Sequence, residues 1–287
     1  MSAATPLDGP YGFIGLGNIG APMATRLATR DGGLIVRDLR DDVVATLVAA
    51  GAEAATSTGD VGRRCAGVSV MVLNDAQVRD VTTELFDSMA PGGVISIHST
   101  IEVATAQELA AAARERGLHL LDAPVSGGFI GAADGRLAIM VGGDEDALAL
   151  VREPFGHMAD LVIRFGDAGA GTTAKLARNL LHFVAFTAAA EAQSLAEAAG
   201  IDLAGIGRVV RHSDAVTGGP GSIMLRTTTD AMVPGDDWYD TMSHVRNLGE
   251  KDLDLALGLA ESLGVELPLA QLARRDLAAG LGVPHTD

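Results

Sequence analysis

A single cysteine, Cys65, leaves the 287-residue chain no partner for an intrachain disulfide, which suits a reducing cytoplasm. Aromatic residues are only 3% of the chain while apolar residues are 48%, so the core must be built from Ala, Val, Leu and Ile. No apolar run is long enough to span a bilayer. Residues 1–10 lack a basic, hydrophobic, cleavable pattern and read as a short flexible leader. Cations are scarce: 21 Lys and Arg stand against 37 Asp and Glu, for a formal net charge of −16. A surface this acidic repels phosphate backbones and anionic lipid, which argues against nucleic-acid and membrane partners. Any Lys or Arg in a cleft therefore carries extra weight. Histidines His119, His157, His182, His212 and His244 lack His-x₃-His or Cys–His spacing, so no metal site is expected.

What is present has a rhythm. Short β-branched runs at 11–15, 34–38, 68–73, 94–99, 119–122, 137–141 and 161–165 predict strands. Amphipathic stretches at 21–30, 41–50, 75–89, 103–116 and 144–157 predict helices between them. Alternation of this kind, with continuously apolar strands, predicts a mostly parallel sheet covered on both faces. The rhythm stops at Gly166. A helix without Pro or Gly then runs over about 172–199, roughly 40 Å at 1.5 Å per residue. The remainder predicts no strand and at least two more helices, near 203–211 and 242–263. The expectation is an α/β domain over 1–166 and an all-α domain over 167–287, joined by the long helix.

Gly15, Gly17 and Gly20 form GxGxxG between the first strand and the first helix. The first glycine permits the tight turn, the second lets the backbone approach a pyrophosphate, and the third lets helix and strand pack closely. The helix N-terminus, opening at Asn18 and Ile19, adds unpaired N–H groups and a favourable dipole. A plain glycine-rich turn is the alternative. Asp38 ends the second strand, 18 residues after Gly20, where a carboxylate can accept from ribose hydroxyls and repel a 2′-phosphate. That favours NAD over NADP. Asp38 could instead cap the next helix, and Arg37 and Arg40 beside it could bind a 2′-phosphate.

Three further segments bear on chemistry. Asp122-Ala123-Pro124-Val125-Ser126-Gly127-Gly128 follows a strand, where ligands gather in open α/β sheets. Its Ser and two glycines offer a hydroxyl and successive N–H groups for an anion, or form an ordinary polar turn. Lys175, Arg178, Asn179 and His182 share one helix face ahead of an apolar run, which predicts a helix passing through the interior with a polar, cleft-lining start. Otherwise the stripe is the solvated end of the helix. Lys251-Asp252 alone reads as a charged pair on a helix surface.

The segments GLGNIGAPMATRL, DAPVSGG, GxGxxxK with the following Asn179, and KDLDLAL resemble, in order from Gly12 to about Leu257, the signature blocks of the β-hydroxyacid dehydrogenases. These include 3-hydroxyisobutyrate dehydrogenase and belong with the 6-phosphogluconate dehydrogenases. The resemblance implies a Rossmann-like domain joined by a long helix to a helical domain, usually paired as a homodimer. It implies a nicotinamide-dependent oxidoreductase acting on a small hydroxy acid. Lys175 matches the catalytic acid/base and Asn179 the amide beside it. Ser126, Gly127 and Gly128 match the turn that binds the substrate carboxylate. Thr100, Leu73 and Asn74 match residues near the cofactor, and Lys251 a second lysine that reaches back into the cleft. The chain departs from many relatives at Arg178, His98 and Asn74, which bears on the substrate rather than the chemistry. Segment 216–240, with Trp238 and Tyr239, has the composition of a loop over a pocket or of a domain interface. An imine reductase is a rival enzyme, disfavoured by Lys175. A non-catalytic dinucleotide-binding sensor or scaffold is a rival of another class, disfavoured because lysine and substrate turn are both present.

Overall fold

A computed structural model describes residue 7 and residues 9–285. Most of the expected leader, residues 1–6 and 8, lies outside the described residues. The chain divides into two compact units, Met1–Arg178 and Asn179–Asp287.

The first unit alternates strand and helix. It comprises β1 (Tyr11–Ile14), α1 (Gly20–Leu27), β2 (Leu34–Arg37), α2 (Asp41–Ala49), β3 (Glu53–Ala54), α3 (Thr58–Arg64), β4 (Gly67–Val70), α4 (Asp75–Ser88), β5 (Val94–Ile97) and α5 (Val103–Glu115). It continues with β6 (His119–Asp122), β7 (Val125–Ser126), α6 (Gly128–Asp134), β8 (Leu137–Gly142), α7 (Glu145–Met158), β9 (Ala159–Gly166) and the start of α8 (Ala170–Ala198). Strands run in the order β3-β2-β1-β4-β5-β6-β8-β7, with β9 on β8. β3, β2, β1, β4, β5 and β6 run parallel to one another, β8 runs antiparallel to β6 and β7, and β9 is parallel to β8. This is the Rossmann-like, doubly wound order, which sends the carboxyl ends of β1, β2, β4, β5 and β6 to one edge.

Side-chain alternation along each strand explains the two cores. Tyr11, Phe13, Leu34 and Val36 point to one face and pack with Met23 and Leu27 of α1 and Val151 and Phe155 of α7. Ile14, Ile35, Val68, Val70, Ile95 and Ile97 point to the other and pack with Val61, Leu85 and Leu109 of α3, α4 and α5. The parallel sheet covered on both faces was legible in the strand pattern. Two-residue β3 and β7, and seven-residue α3 and α6, were not, because such lengths hold too few residues to show a period.

The second unit holds the rest of α8, then α9 (Leu203–Thr217), a 3-10 turn (Gly219–Ile223), α10 (Tyr239–Leu263) and α11 (Pro268–Leu281). Helices α10 and α11 pack together, and Arg274 grips Asp254 through two hydrogen bonds of 2.7 and 3.1 Å. Glu191 of α8 caps α11, accepting from Leu269 and Ala270 N–H at 2.7 and 2.9 Å. The buried cluster is small: Met232, Met242, Leu281 and Val283, with Tyr239, Val245 and Leu277 against it. Trp238 adopts a positive φ of 71° immediately before α10.

One expectation is corrected here. Helix α8 does not run through an interior: its buried residues are Gly171, Thr172 and Lys175, while Leu180, Phe183 and Phe186 are exposed. An apolar helix sequence reports a need for burial, and it does not say which surface meets that need.

Candidate active site

The glycine turn has the geometry its sequence demands. Gly15 sits at φ +93°, and a Cβ there would lie 2.2 Å from the Met71 carbonyl oxygen. A Cβ on Gly20 would lie 2.1 Å from the Gly15 carbonyl oxygen, so α1 can approach β1 only through hydrogen. Gly17 has nothing within 4 Å of its missing Cβ, which leaves the backbone open to a ligand. Helix α1 begins behind Asn18 and Ile19 with no side-chain cap. Open space at the middle glycine and an uncapped helix start fit a dinucleotide pyrophosphate.

Asp38 follows β2 and reaches this turn. It accepts from Leu16 N–H at 2.6 Å and from Arg40 N–H and Nε at 2.9 and 3.2 Å. Partial burial works against its ionisation, but these hydrogen bonds outweigh it and hold the carboxyl below its usual range. Arg40 also donates to Leu16 O at 2.8 Å, and Arg37 donates to Asp38 O.

Two loops at the same sheet edge are stitched together by Ser99, a residue the sequence reading passed over. Its hydroxyl donates to Val72 O at 2.7 Å and accepts from Val72 N–H at 2.9 Å. Beside it Thr100 is exposed, as are Leu73 and Asn74. Asn74 caps α4 by accepting from Gln77 N–H at 3.0 Å, and Gln77 returns an acceptor to Leu73 N–H at 2.9 Å. Asn at this departure from the family pattern therefore has a local structural use.

His98 lies inside the sheet unit, 1% exposed, between Phe13 and Phe155. Its Nδ1 is 2.7 Å from Ala123 O, which can only accept, so the proton sits on Nδ1. Nε2 then accepts from the Ser69 hydroxyl at 2.8 Å, and Ser69 accepts from Tyr11 at 3.2 Å. Burial pushes His98 down to about 4, against the Ala123 hydrogen bond, and Tyr11 up to about 12. The ring is a neutral internal strut.

Ser126 ends β7, and Gly127 and Gly128 follow at φ +136° and +63° into α6. Lys175, in the second turn of α8, is 9% exposed, and its Nζ donates to Val125 O at 2.6 Å. The structure thus brings Lys175 to the segment that carries Ser126–Gly128. Desolvation, with the Arg178 charge adding to it, lowers Lys175 to about 8. The chain contains just one other lysine, Lys251. Asn179, one helical turn past Lys175, belongs to the second unit, as does Lys251, which is exposed in the middle of α10 and paired with Asp252 at 3.1 Å.

An open glycine cradle and an acidic residue after β2 mark the class of dinucleotide-binding Rossmann-like proteins, and a buried lysine stands at the same sheet edge. Comparison with known proteins makes it specific. Residues 10–166 match the NAD binding domain of 6-phosphogluconate dehydrogenase, and residues 169–283 match the family described as NAD-binding of NADP-dependent 3-hydroxyisobutyrate dehydrogenase. The chain belongs to the β-hydroxyacid dehydrogenase family and uses NAD or NADP. It is 53% identical to an uncharacterized oxidoreductase of Mycobacterium tuberculosis, over 99% of this chain and 97% of that one. A solved oxidoreductase of Mycobacterium avium 104 is 52% identical, with a TM-score of 0.94 over 97% of this chain and 100% of that one. An NAD-dependent L-serine dehydrogenase of Pseudomonas aeruginosa is 38% identical over 91% and 88% of the two chains. A Streptomyces aurantiacus imine reductase shares the fold at 17% identity and TM-score 0.76 over 96% of each chain, a distance that speaks to fold alone.

Proposed function

We propose that the chain oxidises a small β-hydroxy acid, of the 3-hydroxyisobutyrate, serine or sugar-acid kind, with Lys175 as general base and, in reduction, general acid. The observation that carries this reading is the Lys175 amine, buried and held by a carbonyl at the sheet edge that bears the glycine turn. An ordinary lysine is protonated at neutral pH; one lowered to about 8 offers a useful fraction of neutral amine. One N–H stays on Val125 O, which aims the nitrogen lone pair at the substrate hydroxyl proton. Asn179 orients that hydroxyl. Ser126, Gly127 and Gly128 bind the carboxylate, and such positioning is worth several kcal/mol. The nicotinamide, when bound, supplies the hydride acceptor or donor. Gly15, Gly17, Asn18, Ile19 and Gly20 hold the pyrophosphate, Thr100, Leu73 and Asn74 flank the ring side, and Lys251 is assigned to the same cleft.

NAD is preferred in this reading. Asp38 is held as the anion, which would repel a 2′-phosphate, and Arg40 is engaged with Asp38 and Leu16. We also propose a homo-oligomer. Helix α9 buries no residue, and exposed Leu180, Phe183 and Phe186 form an apolar face on α8, more than single scattered hydrophobics would explain. A cytoplasmic setting suits the lone, buried Cys65, and among the described residues no helix is long and apolar enough to cross a membrane.

The test is a spectrophotometric screen of L-serine, 3-hydroxyisobutyrate, glycerate and threonate with NAD and NADP in parallel. Lys175→Ala is expected to keep cofactor affinity and lose roughly 10²- to 10⁴-fold in kcat. Near-normal kcat in that variant would refute the base assignment. Turnover of a cyclic imine with NADPH, and of no hydroxy acid, would favour the reductase rival.

A further inference from the structure

We infer that Asp122 is the positioning residue for the Lys175 amine: its carboxylate grips the first turn of α8 while, three residues on, the Val125 carbonyl holds the amine itself. The inference rests on the reading of Lys175 as the base.

Asp122 is fully buried at the end of β6. One carboxylate oxygen accepts from Gly169 N–H at 2.7 Å and the other from Thr172 N–H at 2.7 Å. The second link, Lys175 Nζ to Val125 O, is 2.6 Å. Residues 122 and 125 on one strand-like connection thus face 172 and 175 on one helix, so the two links brace the helix start at matched spacing. An anion capping a helix N-terminus satisfies orphan N–H groups and complements the dipole.

The connection that bears both links is itself immobilised. Ala123 N–H donates to Ile97 O at 2.8 Å, Ala123 O accepts from His98 at 2.7 Å, and Pro124 O accepts from Met140 N–H at 3.0 Å. Nor can the helix slide. A Cβ on Gly171 would lie 2.4 Å from Met140 O and 2.5 Å from Asp122 O, and one on Gly142 would lie 2.4 Å from the Asp122 carboxylate. Backbone touches backbone there, so the position of α8 against β6 and β8 has no slack. Replacing the carboxylate by an amide would set an N–H against an N–H at one link and loosen the turn that carries the amine.

The test compares Asp122→Asn with Asp202→Asn, which takes one of the two acceptor oxygens from a similar cap on α9, where Asp202 accepts from Ala204 and Gly205 N–H. Three readouts are taken: kcat, thermal midpoint and pH-dependent acetylation of residue 175 by mass spectrometry, with Lys251 as internal reference. Asp122→Asn is expected to lower kcat by roughly 100-fold at unchanged cofactor affinity. It should also move the residue-175 labelling inflection from near 8 toward the ordinary lysine value, as the amine becomes solvated. Asp202→Asn should lower the midpoint and leave the other two readouts in place. If Asp122→Asn does not fold, Asp122→Ser, smaller and still able to accept one N–H, should show the same labelling shift, and a wild-type curve there would overturn the proposal equally. A wild-type labelling curve in Asp122→Asn, with or without loss of midpoint or kcat, would overturn the proposal. Normal turnover by Lys175→Ala would instead sink the base reading, while the labelling result would still report on the brace.

Discussion

Phe13 and Phe183 are the same side chain in two different settings. Phe13, on the central strand of the sheet unit, is wholly buried among residues of α1, α7 and the neighbouring strands, whereas Phe183, on α8 in the helical unit, is 59% exposed. The contrast extends beyond the pair. The sheet unit carries two large cores, one on each face, and the helical unit carries one of four buried residues. A parallel sheet covered by helices completes its burial within one chain. Long amphipathic helices such as α8 and α9 leave theirs to whatever surface arrives next. The proposed site follows this division only in part: the glycine turn, Asp38, the Ser126 segment and Lys175 belong to the sheet unit, and Asn179 and Lys251 to the helical one.

That contrast can be broken first at its widest point. Phe13→Ala should cost about 3–5 kcal/mol of unfolding free energy, read by chemical denaturation. Phe183→Ser should leave sheet-unit unfolding within about 0.5 kcal/mol and instead reduce the mass found by sedimentation. Equal losses of stability with no change of mass would erase the distinction and the oligomer proposal with it.

A smaller effect sharpens the picture of the sheet interior. Unfolded His98 takes up a proton near pH 6.5, whereas the folded ring does so only near 4. Between those values the unfolded chain binds more protons, so stability falls as the pH falls, by on the order of 3 kcal/mol across the window. Stability curves for the wild type and His98→Gln should therefore diverge at higher pH and converge toward pH 4. Parallel curves would mean that the ring is hydrated or already charged.

Much of the sheet unit was legible in the sequence because its strands are continuous apolar runs and its helices obey a 3.6-residue period. GxGxxG was legible because each glycine has a separate use, and the structure shows backbone crowding at Gly15 and Gly20 and open space at Gly17. Asp122 was quoted in its motif yet given no role. Its partners stand 47 and 50 residues away, and pairings at that distance leave no periodic trace. Ser99 and the His98 strut were hidden for the same reason. The reading of α8 as an interior helix failed differently: Leu180, Phe183 and Phe186 do require cover, but sequence pattern does not name the chain that provides it.

The most direct test of the account is a titration of the Lys175 amine itself, independent of any substrate. Two lysines in the whole chain mean that protein made with ε-¹³C-lysine gives two side-chain resonances, and Lys175→Arg identifies the one that matters. The account predicts that this resonance inflects near pH 8, well below an ordinary lysine, because the amine is desolvated beside the Val125 carbonyl and the Arg178 charge. An inflection near 10.5 would show an ammonium fully solvated at working pH, and would contradict it.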